Sequence, residues 1–197
     1  ICSIIYKVKI IRKEIVMGKL FGYPEFDVNG EEILCTYDND YSEMMMDVRV
    51  YRMKAGETRS FCRKGEEIAV LLLSGKIIFS CEEISETVSR ESVFTEGPFA
   101  LHSCTESEIT VKAEEDSEIL VQCTKNDGAF APKLYRPEDA PWGYSCVGKF
   151  GNVAKRRVNT IIDKEIAPYS NMVLGEVLND KGNWSGYLPH RHPQPEC

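Results

Sequence analysis

Residues 68–79 read IAVLLLSGKIIF, two apolar runs separated by Ser74-Gly75. The first run is short for a buried helix, which is the competing interpretation, and it ends at a glycine, so it predicts a strand. The Ser-Gly pair predicts a tight turn, after which the second run returns as another strand. This stretch therefore favours an antiparallel all-β fold.

Strand patterns recur on both sides of this stretch. Residues 47–53 alternate in character, so Val48 and Val50 share one face of a half-buried strand. Further short strands are predicted at 92–94, 100–102, 108–112, 118–123, 155–162 and 172–178. Those before residue 124 follow one another every eight to twelve residues, which is typical of an antiparallel sandwich or barrel. No amphipathic helix is predicted.

A weak internal repeat indicates how the chain is divided. The strand-and-glycine pattern of residues 50–57 resembles that of residues 176–183, which is typical of a duplicated unit. We therefore expect a first domain at 17–130, a connector at 131–154 and the start of a second domain at 155–197. Because this last segment is shorter than the first domain, we expect the chain to be cut inside the second domain. Unpaired strand edges would then favour a homo-oligomer.

Two further segments are expected to lie outside regular structure. Pro132, Pro137 and Pro141 should prevent regular strand pairing in residues 124–150. Residues 1–16 precede the first methionine and mix apolar with basic side chains, so we expect them to be an upstream or non-native segment. An extra β-strand is the alternative for that segment, since its apolar runs are too short to span a membrane.

Charge and cysteine usage limit the classes of partner and compartment. The formal charge of −7 and the pI near 5.1 argue against nucleic acid and anionic membranes as partners, because both require a clustered basic field. The eight cysteines contain no C-x-x-C pair, and the chain shows no secretory signal pattern. We therefore expect reduced thiols in a cytoplasmic protein.

Two of the three histidines lie near the end of the sequence, at His190 and His192, with Glu196 behind them. Side chains two apart on a strand point to the same side, so the two imidazoles can share one ion. Two imidazoles and a carboxylate suit a divalent metal, Zn first and Mn, Fe or Ni as alternatives. A solvated, proline-rich segment with two surface histidines is the competing interpretation.

Candidate substrate-binding residues lie close to that motif or before it. Arg157, next to Arg156, is a candidate for bidentate binding of a carboxylate, although a structural arginine pair is the default interpretation. Trp184 and Tyr187 are candidates for stacking on a sugar ring, or else are core aromatics. His102 stands alone and is expected to be a structural residue. No glycine-rich phosphate loop or Ser/His/Asp set is present.

Residues 182–185 (Gly-Asn-Trp-Ser), followed by Pro189-His190, His192 and Glu196, resemble the 5-deoxy-glucuronate isomerase family of myo-inositol catabolism. That family is a bicupin family and a sibling of the 4-deoxy-5-hexosulose-uronate ketol-isomerases of pectin breakdown. The resemblance extends over residues 48–196. A generic cupin motif would carry a glycine where this chain has Trp184, which favours the subfamily over cupins in general.

The resemblance implies a bicupin, an antiparallel β-barrel or jelly roll repeated twice, with a metal-free first cupin and a metal-binding second one. It implies that His190, His192 and Glu196 are metal ligands, together with a further histidine that this sequence does not contain. The implied activity is conversion of 5-deoxy-glucuronate to its 2-keto isomer, with Glu196 and Arg157 as catalytic candidates and a small sugar acid as the partner. The sibling uronate isomerase activity and a non-catalytic barrel with an incomplete metal site are the alternatives.

Overall fold

The computed structural model describes residues 22–39 and 41–184, and their regular structure is almost entirely β-strand. Two short 3-10 turns, Ser42–Met44 and Lys149–Asn152, are the helical elements in this part of the chain. The strands are β1 Glu31–Cys35, β2 Met46–Met53, β3 Thr58–Phe61, β4 Glu66–Cys81, β5 Ile84–Arg90, β6 Ala100–Ser103, β7 Ile109–Ala113, β8 Ser117–Lys125, β9 Lys133–Tyr135, β10 Gly143–Ser145, β11 Arg156–Ile162 and β12 Leu174–Asn179. The all-β prediction is confirmed.

Strand β4 belongs to both halves of a nine-stranded antiparallel barrel. Its first half lies between β8 and β6, in the order β1-β2-β8-β4-β6-β9, and its second half pairs with β5 and β7. Strand β3 completes the arrangement by pairing with β7. The enclosed core includes Ile68, Val70 and Leu72 from the first half of β4 and Ile77 and Phe79 from the second.

The prediction of a tight turn at Ser74-Gly75 is wrong, because β4 runs through it without a break from Glu66 to Cys81. The pairing with β8 shifts register between Leu72 and Ser74, and Gly75 has a φ of +102°. Such an irregularity bends a strand, and a glycine tolerates the left-handed backbone without strain. The bend carries β4 from one half of the barrel to the other.

Replacing Gly75 with alanine should destabilise the barrel by at least about 2 kcal/mol, because a left-handed alanine is strained and crowded at this site. A Cβ at Gly75 would lie 2.2 Å from Ser117 Oγ and 2.6 Å from Asp116 O. Gly56→Ala is the matched control, since Gly56 has a φ of +88° but no atom within 4 Å of the added Cβ. Urea unfolding should show a clearly larger loss for Gly75→Ala, and equal losses would contradict the close-packing argument.

A second sheet, in the order β10-β11-β12, covers the outer face of β4. Ala69 and Leu71 point out of the barrel and share a buried cluster with Ile161, Ile162 and Leu174 of that sheet. Both faces of the first half of β4 are therefore buried, one by the barrel core and one by the second sheet. This explains why residues 68–73 are continuously apolar and do not alternate.

Three further sequence expectations differ from the structure. The predicted strand at 92–94 is a turn, because Ser92 O accepts from the backbone of Thr95 at 3.2 Å and Ser92 Oγ accepts from Phe94 N at 3.1 Å. The connector contains two three-residue strands, β9 on the barrel and β10 on the second sheet, because β9 fits between Pro132 and Pro137 and β10 begins after Pro141. The strands β3 and β5 were not predicted.

Six cysteines are free thiols in the part of the chain that the structure describes: Cys35, Cys62, Cys81, Cys104, Cys123 and Cys146. Within the same residues no helix is long and apolar enough to cross a membrane. The segment expected to be upstream, 1–16, lies outside the described residues.

Candidate functional site

A cleft of about 320 Å³ lies where the turn after β5 meets the second sheet. Phe94 borders it from the barrel side, and the other residues come from β10, β11, β12 and their flanks. The lining residues are Phe94, Tyr144, Lys155, Arg156, Arg157, Leu178, Asn179 and Asp180. With three cationic side chains and one carboxylate, the lining has a net positive charge, which suits an anionic ligand.

The Arg157 guanidinium is contacted in this cleft on one of its faces and at one of its edges. Arg157 lies on the central strand β11, opposite Tyr144 of β10 and Leu178 of β12. Its guanidinium carbon lies 3.8 Å from the centre of the Trp142 ring, and its Nη2 donates to Phe94 O at 2.6 Å. Its Nε is buried without a hydrogen-bond partner within the described residues. Stacking and one hydrogen bond therefore orient the cation, as expected for a guanidinium that recognises a planar anion.

The neighbouring cations are less constrained than Arg157. Arg156 Nη1 lies 3.4 Å from Ala154 O and 3.5 Å from Cys146 Sγ, and Lys155 Nζ lies 4.5 Å from the centre of the Tyr144 ring. The pKa of the Cys146 thiol is lowered, first by the hydrogen bond with the Ser145 hydroxyl and then by the charge of Arg156. The positive field of the cleft thus extends to the loop after β10.

A buried ion pair joins the two walls of the cleft. Arg90, at the end of β5, is 1% exposed, and it binds the Glu176 carboxylate of β12 through Nη1 at 2.7 Å and Nη2 at 2.8 Å. The same two nitrogens donate to Leu72 O and Glu96 O, each at 2.9 Å. Glu176 also accepts from Asn159 Nδ2 of β11 at 3.2 Å. One guanidinium therefore connects β4, the turn that carries Phe94, and the second sheet.

A second buried carboxylate, Glu67, lies on the outer face of β4. It accepts hydrogen bonds from His102 Nε2 at 2.8 Å, Ser170 Oγ at 2.8 Å and Asn171 N at 2.6 Å. Burial opposes ionisation of Glu67, but these three hydrogen bonds outweigh it, and the pKa of the carboxyl is lowered. His102 is fully buried, its ring lies 6.4 Å from that of Tyr169 between centres, and its Nδ1 has no hydrogen-bond partner within the described residues. The structural role that the sequence indicated for it stays a prediction.

Residues 23–196 match the KduI/IolB family. The chain belongs to the KduI/IolB family. The matched range includes the residues of the Arg157 cleft, the Arg90–Glu176 ion pair, the Glu67–His102 hydrogen bond and the His190, His192 and Glu196 motif.

Several relatives within this family carry the same name. The chain is 26% identical over 170 residues to the 5-deoxy-glucuronate isomerase of Bacillus subtilis strain 168, covering 84% of this chain and 61% of that protein. It is 30% identical over 148 residues to the 5-deoxy-glucuronate isomerase of Geobacillus kaustophilus, covering 74% of this chain and 52% of that protein. The chain thus spans about half to three fifths of the length of these curated relatives.

Solved structures support the fold of this KduI/IolB chain. An IolB-like protein from Salmonella typhimurium LT2 superposes with a TM-score of 0.62 at 19% identity, covering 70% of this chain and 52% of that one. The protein YlbA from Escherichia coli superposes with a TM-score of 0.50 at 13% identity, covering 73% and 55%. Together with the antiparallel barrel, these similarities bear out the prediction of an all-β cupin fold.

The structure places two of the predicted site residues and leaves the others untested. Arg157 lines the cleft, whereas Trp184 does not, because its ring packs 5.8 Å from that of Phe150 and its backbone N donates to Val153 O. The remaining predicted site residues lie outside the described residues: Tyr187, His190, His192 and Glu196. Among the described residues, no group of three or more His, Cys, Asp or Glu side chains is arranged to hold a metal ion.

Sequence reasoning missed Trp142, Phe94 and the Arg90–Glu176 pair. One local signal existed for Arg90, because Ile84, Val88 and Arg90 share one side of β5 and the strand ends with a charge on its buried side. Such a charge requires a buried acceptor. The acceptor is 86 residues further on, at Glu176, and no local pattern identifies it.

Proposed function

We propose that this protein is an aldose–ketose isomerase that converts 5-deoxy-glucuronate to its 2-keto isomer in myo-inositol catabolism. The observation that supports this most is the KduI/IolB match over residues 23–196, with relatives of that name at 26% to 30% identity. The positively charged cleft around Arg157 adds chemical support, since the substrate is a sugar acid with a carboxylate to bind.

The proposed roles follow from the chemistry of each side chain. Arg157 binds the substrate carboxylate, because its guanidinium is oriented by Trp142 and by Phe94 O. Isomerisation moves a proton between adjacent carbons, and Glu196 is the candidate for that transfer. Tyr187 and Trp184 remain candidates for contact with the sugar, although Trp184 packs outside the Arg157 cleft.

The donor set of His190, His192 and Glu196 fits a divalent metal of the Zn, Mn, Fe or Ni type, with Zn as our first choice. Such an ion, when bound, supplies Lewis-acid polarisation of the substrate oxygens. The two imidazoles and the carboxylate would hold it and leave room for substrate oxygens. We place the protein in the cytoplasm, which agrees with the six free thiols of the described residues.

Metal content and turnover, measured together, test this proposal. The purified protein, supplied with each of the four metals, should bind one ion per chain and isomerise 5-deoxy-glucuronate. His190→Ala and His192→Ala should each lower metal affinity and kcat/KM by at least about 100-fold. Arg191→Ala is the control, because residue 191 lies between the two histidines in sequence, and this variant should retain wild-type metal affinity and kcat/KM.

Two outcomes would redirect the assignment. Faster turnover of 4-deoxy-5-hexosulose-uronate than of 5-deoxy-glucuronate would favour the sibling uronate isomerase. A wild-type protein that folds but neither binds stoichiometric metal nor turns over either sugar acid would contradict the enzymatic proposal and support a non-catalytic barrel.

A further inference from the structure

The two walls of the Arg157 cleft belong to different parts of the fold. One wall is the turn after β5, which presents Phe94, and the other is the β11–β12 hairpin, which carries Arg157 and Leu178. The walls meet directly through the hydrogen bond from Arg157 Nη2 to Phe94 O. Phe94 is 69% exposed, so the tip of the turn has little packing of its own. The separation of the walls therefore depends on contacts behind the cleft as well as on this hydrogen bond.

Arg90 makes those contacts with both walls. Its Nη2 donates to Glu96 O in the turn and to Glu176 Oε2 in β12, at 2.9 Å and 2.8 Å. Its Nη1 donates to Leu72 O beside the bend of β4 and to Glu176 Oε1. The planar fork allows little variation in these four distances, because each nitrogen serves two acceptors at once.

The Glu176 carboxylate, which accepts from Arg90, is also held in place by hydrogen bonds. Glu176 N donates to Asn159 Oδ1 at 3.0 Å, and Asn159 Nδ2 donates back to the Glu176 carboxylate. Asn159 is buried and lies two residues after Arg157 on β11, so both side chains point to the same face of the strand. The position of Arg157 is thereby tied through Asn159 and Glu176 to Arg90.

We propose that Arg90 is a positioning residue whose guanidinium sets the separation between the Phe94 turn and the β11–β12 hairpin, and so the shape of the anion-binding cleft. The predicted effect of Arg90 on substrate binding rests on the proposed function, but its predicted effect on the separation of the two walls does not. Arg90 does not line the cleft. It acts through Glu96 O on one wall and through Glu176 on the other.

The test uses the double variant Arg90→Met/Glu176→Met, which removes both charges together and so leaves neither buried and unpaired. Arg90→Lys is the second variant, because it retains the charge but not the fork. The matched control is Arg52→Met/Glu118→Met, which removes an exposed pair between β2 and β8 that touches neither wall.

Amide hydrogen exchange of the folded protein is the first readout. In the double variant, amides of residues 91–97 and 156–162 should exchange at least about tenfold faster, while those of β7 and β8 keep the wild-type rate. Arg90→Lys should show a smaller change of the same kind, and the control pair should show none. Unchanged exchange at both walls in the double variant, or equal acceleration throughout the barrel, would overturn the proposal.

Glucuronate titration, followed by tryptophan fluorescence, is the second readout. The double variant should bind glucuronate about 10- to 100-fold more weakly than wild type, and it should raise KM for 5-deoxy-glucuronate more than it lowers kcat. In an Arg157→Leu background the same double change should have no further effect on affinity, because both act on one contact. Additive losses would overturn the positioning role. If wild type binds no glucuronate while the exchange result holds, the cleft assignment fails and the role of Arg90 in joining the walls stands.

Discussion

Replacing Glu176 with alanine should destabilise the protein by about 3–5 kcal/mol, because it leaves the Arg90 charge buried without its carboxylate partner. Arg90 is 1% exposed, and Glu176 provides two of its four hydrogen bonds. Urea unfolding at neutral pH, followed by circular dichroism, measures this loss. Glu118→Ala is the control, since its partner Arg52 is 62% exposed and the loss there should stay below about 1 kcal/mol.

The contrast between these two variants distinguishes burial from charge pairing. Both change a glutamate that lies 2.9 Å or less from an arginine, so pairing alone predicts similar losses. Similar losses would mean that water reaches Arg90 once Glu176 is gone. The second sheet would then be attached mainly by the apolar cluster around Ala69 and Leu71.

Replacing Glu67 with glutamine should destabilise the protein at neutral pH by about 2–3 kcal/mol and should remove part of its acid sensitivity. Burial raises the Glu67 pKa, but the hydrogen bonds from His102, Asn171 and Ser170 lower it by more than burial raises it. The folded-state pKa therefore lies below the ordinary value of 4.5. A group of this kind stabilises the fold above its unfolded pKa and loses that contribution as pH falls through the folded pKa.

The wild-type free energy of unfolding should therefore decline below about pH 4.5, and the difference between wild type and Glu67→Gln should shrink over the same range. Glu66→Gln is the control for this effect. Glu66 directly precedes Glu67 on β4, and its ion pair with Arg63 is long, at 3.4 Å. A wild-type-to-variant difference that stays constant from pH 7 to pH 3 would contradict this prediction, because it would mean that the pKa of Glu67 is the same in the folded and unfolded protein.

Local sequence patterns predicted the positions of most barrel strands but not the bend in β4. The strands β2, β6, β7, β8, β11 and β12 were located because alternation or a short apolar run is visible within a few residues. The bend in β4 was misread as a turn, since Gly75 in a left-handed conformation is equally suited to both. Pairing with β8, more than forty positions later in the chain, decides whether the chain bends or turns at Gly75. Such long-range pairing cannot be recognised from the residues around Gly75.

The candidate site was less predictable for the same reason. Arg157 was identified because an arginine pair is visible in sequence, but Trp142 and Phe94 reach it only through the fold. The Glu67 carboxylate and Ser170 are 103 positions apart, and Arg90 and Glu176 are 86 apart. Long-range polar pairs of this kind depend on tertiary structure and were absent from the sequence interpretation.

The burial of β4 on both faces has a consequence for how the chain acquires its structure. Until β11 and β12 have docked, Ala69 and Leu71 present apolar side chains to water along the outside of the barrel. Closing the contact between Glu67 and Asn171 spans 104 positions, so its entropic cost falls late in folding. During synthesis, the barrel strands emerge well before the strands that cover them. We therefore expect the outer face of β4 to be open, during this interval, to association with other chains or with chaperones that bind apolar strands.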